Sequence, residues 1–302
     1  MTTLRRHDAH TLLLIGGNDT AETALALAAA ARAAGYELAV VGVPKTIDND
    51  LPCTDHCPGY GSAARFVATA LCDLDQDARA MRRVEPVRLF EVKGRNSGWL
   101  AAAAALGRVD ASAGPHVVAV PERPLRLADF LAAVEAACRR NGYVVAVVPE
   151  TARDEQGRLL GQGDGAFRDA FGHTYADDVS GYLCSMVRRD LGLRARYDRP
   201  NALHKVSSAH VSPVDRAEAE MVGAAAVGAA LAGQSEQMVT LVREPGPAYR
   251  CTTGLAPLTA IAGHERVLPA AFFDGDDISD AFRAYALPLL GGALPRYPRL
   301  FA

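Results

Sequence analysis

Positive charge is not in surplus in this chain: lysines and arginines number 32 against 35 aspartates and glutamates, a net charge of −3 at pH 7. Without a basic footprint a nucleic-acid-binding module is not expected, and there is no polybasic patch for a membrane surface. Long apolar runs are also missing. The hydrophobic stretches break well before the roughly 20 residues that a bilayer-spanning helix needs. The opening residues Met1-Thr2-Thr3-Leu4-Arg5-Arg6-His7 lack the apolar core of a secretory signal. A soluble, cytoplasmic protein is therefore expected. Cysteine is sparse and scattered, at 53, 57, 72, 138, 184 and 251. Cys53-Thr54-Asp55-His56-Cys57 gathers zinc-ligating residue types, but a structural zinc site wants a second pair at similar spacing, and none follows. The segment reads as a loop. Cys138 and Cys184 fall in apolar helical patterns and read as small buried hydrophobes. No internal repeat or disordered linker is visible.

What is present is an ordinary globular composition, 49% apolar and 22% charged over 302 residues, enough for a large core shared between two lobes. Apolar runs alternate with helical patterns. Leu12–Ile15 reads as a strand, Gly16–Asp19 as a tight loop, Thr20 to about Ala34 as a helix stopped by Gly35, and Glu37–Val43 as the next strand. The pattern recurs as 87–92 then 97–107, 116–120 then 127–140, and 143–148. Helices at about 174–191 and 215–232 and a strand at 237–242 follow, with a Gly-rich surface loop or lid at 161–165. Such alternation argues an α/β fold with mostly parallel sheets covered by helices.

Chemistry concentrates in Lys45-Thr46-Ile47-Asp48-Asn49-Asp50, which puts a lysine, a threonine, an amide and two carboxylates directly behind an apolar strand. In open α/β sheets ligands bind at that carboxyl edge. Asp48 and Asp50, two apart in an extended loop, aim the same way. One can accept a hydroxyl proton while the other holds a metal or the local geometry, as phosphoryl transfer requires. The plain alternative is an Asx-type turn with solvated charges. Gly16-Gly17-Asn18-Asp19-Thr20 is a glycine turn at a helix start, suited to a phosphate and equally to helix capping. In Lys93-Gly94-Arg95 the glycine permits close approach and the arginine can grip a phosphate bidentately, unless these are an exposed basic pair at a turn. Glu150, at another strand end, suits sugar hydroxyls or simple solvation. Arg194, Arg196, Arg199, His204 and Lys205 make a basic cluster that reads also as a solvated surface.

Pro44–Asp50, PKTIDND, resembles the signature of the phosphofructokinase family, in the lysine form of its pyrophosphate-dependent branch. Leu14–Thr20 resembles the family's GGDDS/GGDGS phosphate loop, and Glu91–Trp99 its EVMGR-x-x-G element. The resemblance runs from about Leu12 to the C-terminus. It implies two Rossmann-like three-layer lobes, with residues 1–60 plus about 206–260 binding the phosphoryl donor and about 61–205 plus 261–302 binding the phosphosugar. It also implies roles. Asp48 is the base on the sugar hydroxyl, Thr46 bonds the transferred phosphoryl group, Asp50 supports metal or base, and Lys45 neutralises pyrophosphate. Gly16, Gly17, Asn18, Asp19 and Thr20 line the donor site, with Asp19 filling space that a nucleotide triphosphate needs. Lys93, Gly94, Arg95, Glu150, Arg196 and Lys205 contact the sugar, Arg196 that of a neighbouring subunit. Mg²⁺ would sit with Asn18, Asp19 or Asp50.

The departures from the family pattern matter too. Its first quarter has no counterpart here, so the first lobe is expected to be incomplete: either the sequence is a truncated piece or, the reading favoured, a partner chain supplies the missing segment, and a homo-oligomer or a hetero-oligomer is expected. Asn18 stands in place of a metal-binding aspartate, Lys93 of a methionine, Pro86 of an arginine, Ala202 of a histidine and Lys205 of an arginine. Arg-to-Lys loses a planar fork. The expected activity is phosphoryl transfer from pyrophosphate to fructose 6-phosphate or a related phosphosugar. The alternatives are a non-catalytic phosphosugar-binding or regulatory subunit of a partner kinase, and a kinase repurposed for another metabolite.

Overall fold

The protein is described by a computed structural model at residues 1–162 and 178–298. Its elements in chain order are α1 (Thr2–Arg6), β1 (Thr11–Gly16), α2 (Asn18–Ala33), β2 (Ala39–Pro44), α3 (Tyr60–Met81), β3 (Val87–Val92), α4 (Trp99–Ala104) and β4 (Val117–Val118). Then come α5 (Leu127–Asn141), β5 (Val144–Pro149), α6 (Val179–Leu191), β6 (Ala195–Asp198), α7 (Leu203–Val206), α8 (Pro213–Leu231), β7 (Gln237–Arg243) and β8 (Cys251–Pro257). The short pair β9 (Phe273–Asp274) and β10 (Asp277–Ile278) and the helix α9 (Asp280–Ala286) close the described chain. It divides into two compact units, residues 1–61 with 212–266 and residues 62–211 with 267–302.

The first unit is a sheet in the order β1-β2-β7-β8, parallel except for β8, which returns antiparallel to β7. Alternation along β2 decides its two faces, because successive side chains in a strand point opposite ways. Val40 joins Ala21, Ala24 and Ala28 of α2, with Met238 and Leu258. Val41 and Val43 turn the other way, onto Val222, Ala226 and Ala229 of α8. Two helices on two faces make three layers. Gly42 is small for a packing reason: a Cβ there would come within 3.0 Å of Met238 and 3.1 Å of Leu258. Among the described residues β1 ends the sheet on one side, with Ile15 67% exposed.

The second unit holds an all-parallel sheet in the order β4-β5-β3-β6. β3 and β5 are buried along their whole lengths, as parallel strands covered on both faces must be. Val87, Leu89, Val144, Ala146 and Val148 pack against Phe130, Leu131 and Val134 of α5 and Leu183, Cys184 and Val187 of α6. A separate aromatic group sets the buried Trp99 against Phe272 and Tyr285.

The mostly parallel α/β architecture is the one expected, with differences at particular elements. The strand expected at 116–120 contracts to Val117–Val118. The helix expected over 97–107 is a six-residue α4 continued by a 3-10 turn at Ala105–Gly107. β8 was not foreseen, because its exposed, polar stretch CTTGLAP carries no apolar run. The described helix α6 starts at Val179; the earlier start expected near 174, and most of the Gly-rich tract 161–165, lie outside the described residues.

Candidate active site

In the first unit the chemistry-bearing residues stand at the carboxyl ends of β1 and β2. The register pairs Gly16 with Pro44, so the glycine turn after β1 lies beside the loop after β2. Lys45 N donates to Gly16 O at 3.1 Å, and a Cβ on Gly17 would sit 3.6 Å from Thr46 Cβ. Gly16 admits no side chain, because its Cβ would clash with the Thr20 hydroxyl. α2 begins with Gly17 as its cap residue and no side-chain cap bond, and a helix start is a place suited to an anion. Asn18 does not cap the helix. Its amide accepts from Gly263 N at 2.7 Å and donates to His264 O, which ties the helix start to the segment after β8.

The Thr46–Asp50 loop is held by polar contacts to its own backbone. Thr46 N donates to Pro58 O and Thr46 pairs with Gly59 as an isolated bridge. Thr46 Oγ1 accepts from Asp48 N at 3.1 Å, which turns the chain at the residue expected to be the base. Asn49 is fully buried, adopts φ +56°, and its Oδ1 accepts from Cys57 N at 3.0 Å. Burial of Cys57 pushes its thiol up to about 12, so it is no nucleophile. Lys45 is exposed, Thr46 and Asp48 are half-buried, and Asp50 is buried.

Sequence reasoning missed the residue that does most of this holding. Arg266 donates from Nη2 to Asn49 O at 2.8 Å, from Nη1 to Thr54 O at 2.8 Å and to Asp55 O, while its own N–H reaches Asp50 O at 2.7 Å. It follows a turn over 200 residues away in sequence, with no motif around it. Asp215, on α8, likewise accepts from Gly59 N at 2.7 Å.

The second unit brings together a different subset. Val92 and Pro149 are register partners at the ends of β3 and β5, which places Lys93 beside Glu150. Their Nζ and Oε2 lie 2.8 Å apart, both half-buried. Gly94 has φ +133°, and a Cβ there would meet Ser97 O at 2.5 Å, so the turn demands glycine. Thr151 Oγ1 donates to Gly94 O at 3.1 Å and also to Arg95 O, locking the Lys93–Arg95 turn to the Glu150 strand end. Glu122 was not anticipated; its Oε1 accepts from Gly98 N and Leu268 N, both at 2.8 Å.

The basic cluster near residue 200 does not survive as one. Arg194 and Arg196 both pair with Glu85, and Arg196 is in register with Arg88 near the amino end of β3, away from Lys93 and Glu150. Arg199 pairs with Glu91 and Asp178. His204 is buried, set edge-on to Phe66 and parallel to Phe90, with Nδ1 bonded to Asn201 O. Burial holds its pKa below the ordinary histidine value, and the charge of Lys93 pushes the same way, so it is a neutral ring. Lys205 is exposed.

Among the described residues no group of three or more His, Cys, Asp or Glu side chains forms a metal cage. Mg²⁺ is commonly held by one or two carboxylates together with substrate phosphates rather than by such a cage. Asp19 at the start of α2 and Asp50 fit that mode. Asn18, whose amide is bonded to the backbone at 263–264, does not.

Parallel sheets carrying a glycine turn, a Lys-Thr-x-Asp-x-Asp loop and a Lys-Gly-Arg turn at their carboxyl edges define a phosphotransferase-like α/β protein. The family model for phosphofructokinase matches residues 1–230, and the chain belongs to that family. It is 39% identical over 295 residues to the pyrophosphate–fructose 6-phosphate 1-phosphotransferase of Xanthomonas campestris, covering 97% of this chain and 70% of that one. It is 36% identical over 264 residues to the sulfofructose kinase of Alkalicoccus urumqiensis, covering 87% and 68%. The crystal structure of the pyrophosphate-dependent phosphofructokinase of Marinobacter aquaeolei aligns with a TM-score of 0.84 at 33% identity, over 98% of this chain and 72% of that one.

Proposed function

We propose that this chain transfers a phosphoryl group from pyrophosphate to a hydroxyl of fructose 6-phosphate or a closely related phosphosugar. The observation that carries the reading is the Thr46–Asp50 loop, fixed beside the glycine turn that starts α2, with Asp48 N turned onto Thr46 Oγ1. Pyrophosphate lies against the first N–H groups of α2 and is neutralised by Lys45. Asp48 takes the proton of the acceptor hydroxyl as its oxygen attacks, and Thr46 bonds the moving phosphoryl group. Mg²⁺, when bound, neutralises phosphate charge, and Asp19 and Asp50 would hold it. Catalysis is then positioning and charge compensation, supplied by groups fixed before the substrate arrives.

On the acceptor side Arg95 takes the sugar phosphate, and Glu150 bonds a sugar hydroxyl while Lys93 balances its charge. Arg196 and Lys205 serve a site completed in an oligomer, with Arg196 reaching the sugar phosphate of a neighbouring subunit. The exposed edge strand β1 supports a further chain pairing beside it, because unpaired parallel edges are normally covered. A non-catalytic phosphosugar-binding subunit would have no use for Asp48, which favours the enzyme. The test is a coupled assay with pyrophosphate or ATP as donor and fructose 6-phosphate or sulfofructose as acceptor, run with Mg²⁺ on the complex purified at its native mass. Turnover with pyrophosphate supports the reading. Tight phosphosugar binding without turnover from either donor would replace it with the binding-subunit alternative.

A further inference from the structure

Behind the Thr46–Asp50 loop the first unit buries a ring of polar side chains that the reaction scheme leaves unused. His56 is 1% exposed, with Nδ1 2.9 Å from Asp55 Oδ1 and Nε2 2.6 Å from Glu218 Oε2. With both acids ionised their oxygens can only accept, so both ring nitrogens donate and the ring is an imidazolium. Arg243 Nε donates to Asp55 Oδ1 at 3.1 Å, and the Tyr249 hydroxyl donates to Glu218 Oε1. The circle closes where the Arg243 guanidinium lies 4.9 Å over the Tyr249 ring.

The five members come from four segments: Asp55 and His56 from the loop after β2, Glu218 from α8, Arg243 from β7 and Tyr249 from the β7–β8 turn. Cys251 of β8 and Arg266 are the further titratable and charged neighbours. The circle is joined to the reaction loop through the next residue, since Cys57 N donates to Asn49 Oδ1 between Asp48 and Asp50. Asp55 N, on the other side, donates to Leu241 O of β7 at 2.8 Å.

We propose that His56 is a positioning residue of the transfer loop, a buried cation that pins residues 55–57 to α8 and β7 and, through Cys57 and Asn49, fixes Asp48 and Asp50. Its kinetic consequence rests on the phosphotransfer reading; its structural consequence does not. If the ring loses a proton, one nitrogen turns a lone pair toward a buried carboxylate, and a bond becomes a repulsion. Burial works against the charge on His56, but its hydrogen bonds to Asp55 and Glu218 outweigh it and hold the pKa above the ordinary 6.5. Asp55 is held below its usual range by the His56 bond and by Arg243, against the effect of burial. With the folded value raised, the tie is complete below pH 6.5 and is lost as pH rises through the folded value. The loop should therefore loosen on the alkaline side.

Glu218→Gln tests this, because it keeps the shape and an accepting oxygen while removing one charge. His56→Ala is the blunter variant, and Asp55→Asn replaces it where His56→Ala does not fold. Three quantities are followed against pH in wild type and Glu218→Gln: the NMR titration of His56, intrinsic-rate-corrected hydrogen exchange of peptides spanning 45–58, and the split between kcat and KM. The expected result is one alkaline midpoint shared by all three, with kcat falling more than KM rises. That midpoint should move down together by about one pH unit in Glu218→Gln. A His56 titration that moves while loop exchange and kcat keep their midpoint overturns the proposal, as does a His56 already neutral at pH 6. Should the chain show no phosphotransfer at all, that failure belongs to the functional reading. Loop exchange that follows His56 then still supports the tie, and exchange that ignores it still overturns it.

Discussion

The two sheet edges are built by different means. In the first unit the Thr46–Asp50 loop is held by side chains bonded to backbone: Arg266 donates to the carbonyls of Asn49, Thr54 and Asp55, the Asn49 amide oxygen accepts from Cys57 N, and the Thr46 hydroxyl accepts from Asp48 N. Lys45 is exposed and Asp48 half-buried beside that scaffold. In the second unit the proposed acceptor-side residues hold one another, since Lys93 and Glu150 form an ion pair at 2.8 Å across neighbouring strand ends. The contrast separates two tasks. A loop that must take a proton and meet a moving phosphoryl group gains from being fixed before the reaction. A pocket that recognises a sugar can afford groups that exchange partners when the substrate enters.

That contrast breaks first at Asp48. Asp48→Asn removes the proposed base while keeping the side chain's shape, so turnover should fall roughly a thousandfold, the usual worth of a general base. Thermal unfolding and phosphosugar binding should stay at wild-type values; turnover within a few fold of wild type would take Asp48 out of the mechanism. Arg266→Ala attacks the scaffold instead. It strips a charged donor from several carbonyls, costing about 2–3 kcal/mol in denaturant unfolding, and kcat should drop through the loosened loop. Arg266→Lys should recover only part of both, because an ammonium cannot span the same carbonyls as a planar fork. Full recovery by lysine would mean that charge alone holds the loop.

In the second unit Gly94→Ala is the sharper cut. Residue 94 has φ +133° and its new Cβ would meet Ser97 O at 2.5 Å, a backbone atom that cannot swing away. The strain is of order 1–3 kcal/mol, and KM for the phosphosugar should rise more than kcat falls. A crystal structure of the variant with the Lys93–Arg95 turn unmoved would contradict that.

How far these differences were legible in the sequence follows from range. The glycine turn, the Lys45–Asp50 loop and the Lys93–Arg95 turn each follow a strand directly, so local order placed them at carboxyl edges. Arg266, Asp215 and Glu218 act on the 46–59 loop from more than 150 residues away, and no periodicity reports such contacts. His56 had the opposite problem: in Cys-Thr-Asp-His-Cys it read as part of a weak metal pattern, whereas Asp55 and Glu218 engage both its ring nitrogens. His204 was grouped with surface cations because its neighbours in sequence are basic, yet it lies buried and neutral against Phe66 and Phe90. One signal was in plain view. Of the 32 basic residues only Lys45, Lys93 and Lys205 are lysine, and all three fall in the motifs singled out here. In a chain that otherwise uses arginine, a compact ammonium at those positions marks sites where a planar fork would not serve.

Lys93→Met gives the smallest effect and the finest resolution of the comparison. Half-buried ion pairs of this kind contribute only about 0–1 kcal/mol, so stability should barely change. Glu150, however, loses the cation that balances it and stands as a bare carboxylate at the sugar edge. If the pair tunes acceptor choice, kcat/KM for fructose 6-phosphate relative to sulfofructose should shift by a few fold, with the donor KM for pyrophosphate unchanged. An equal change for both acceptors would assign Lys93 to holding the turn, and a change in donor KM would show that the two edges do not divide their tasks as their construction implies.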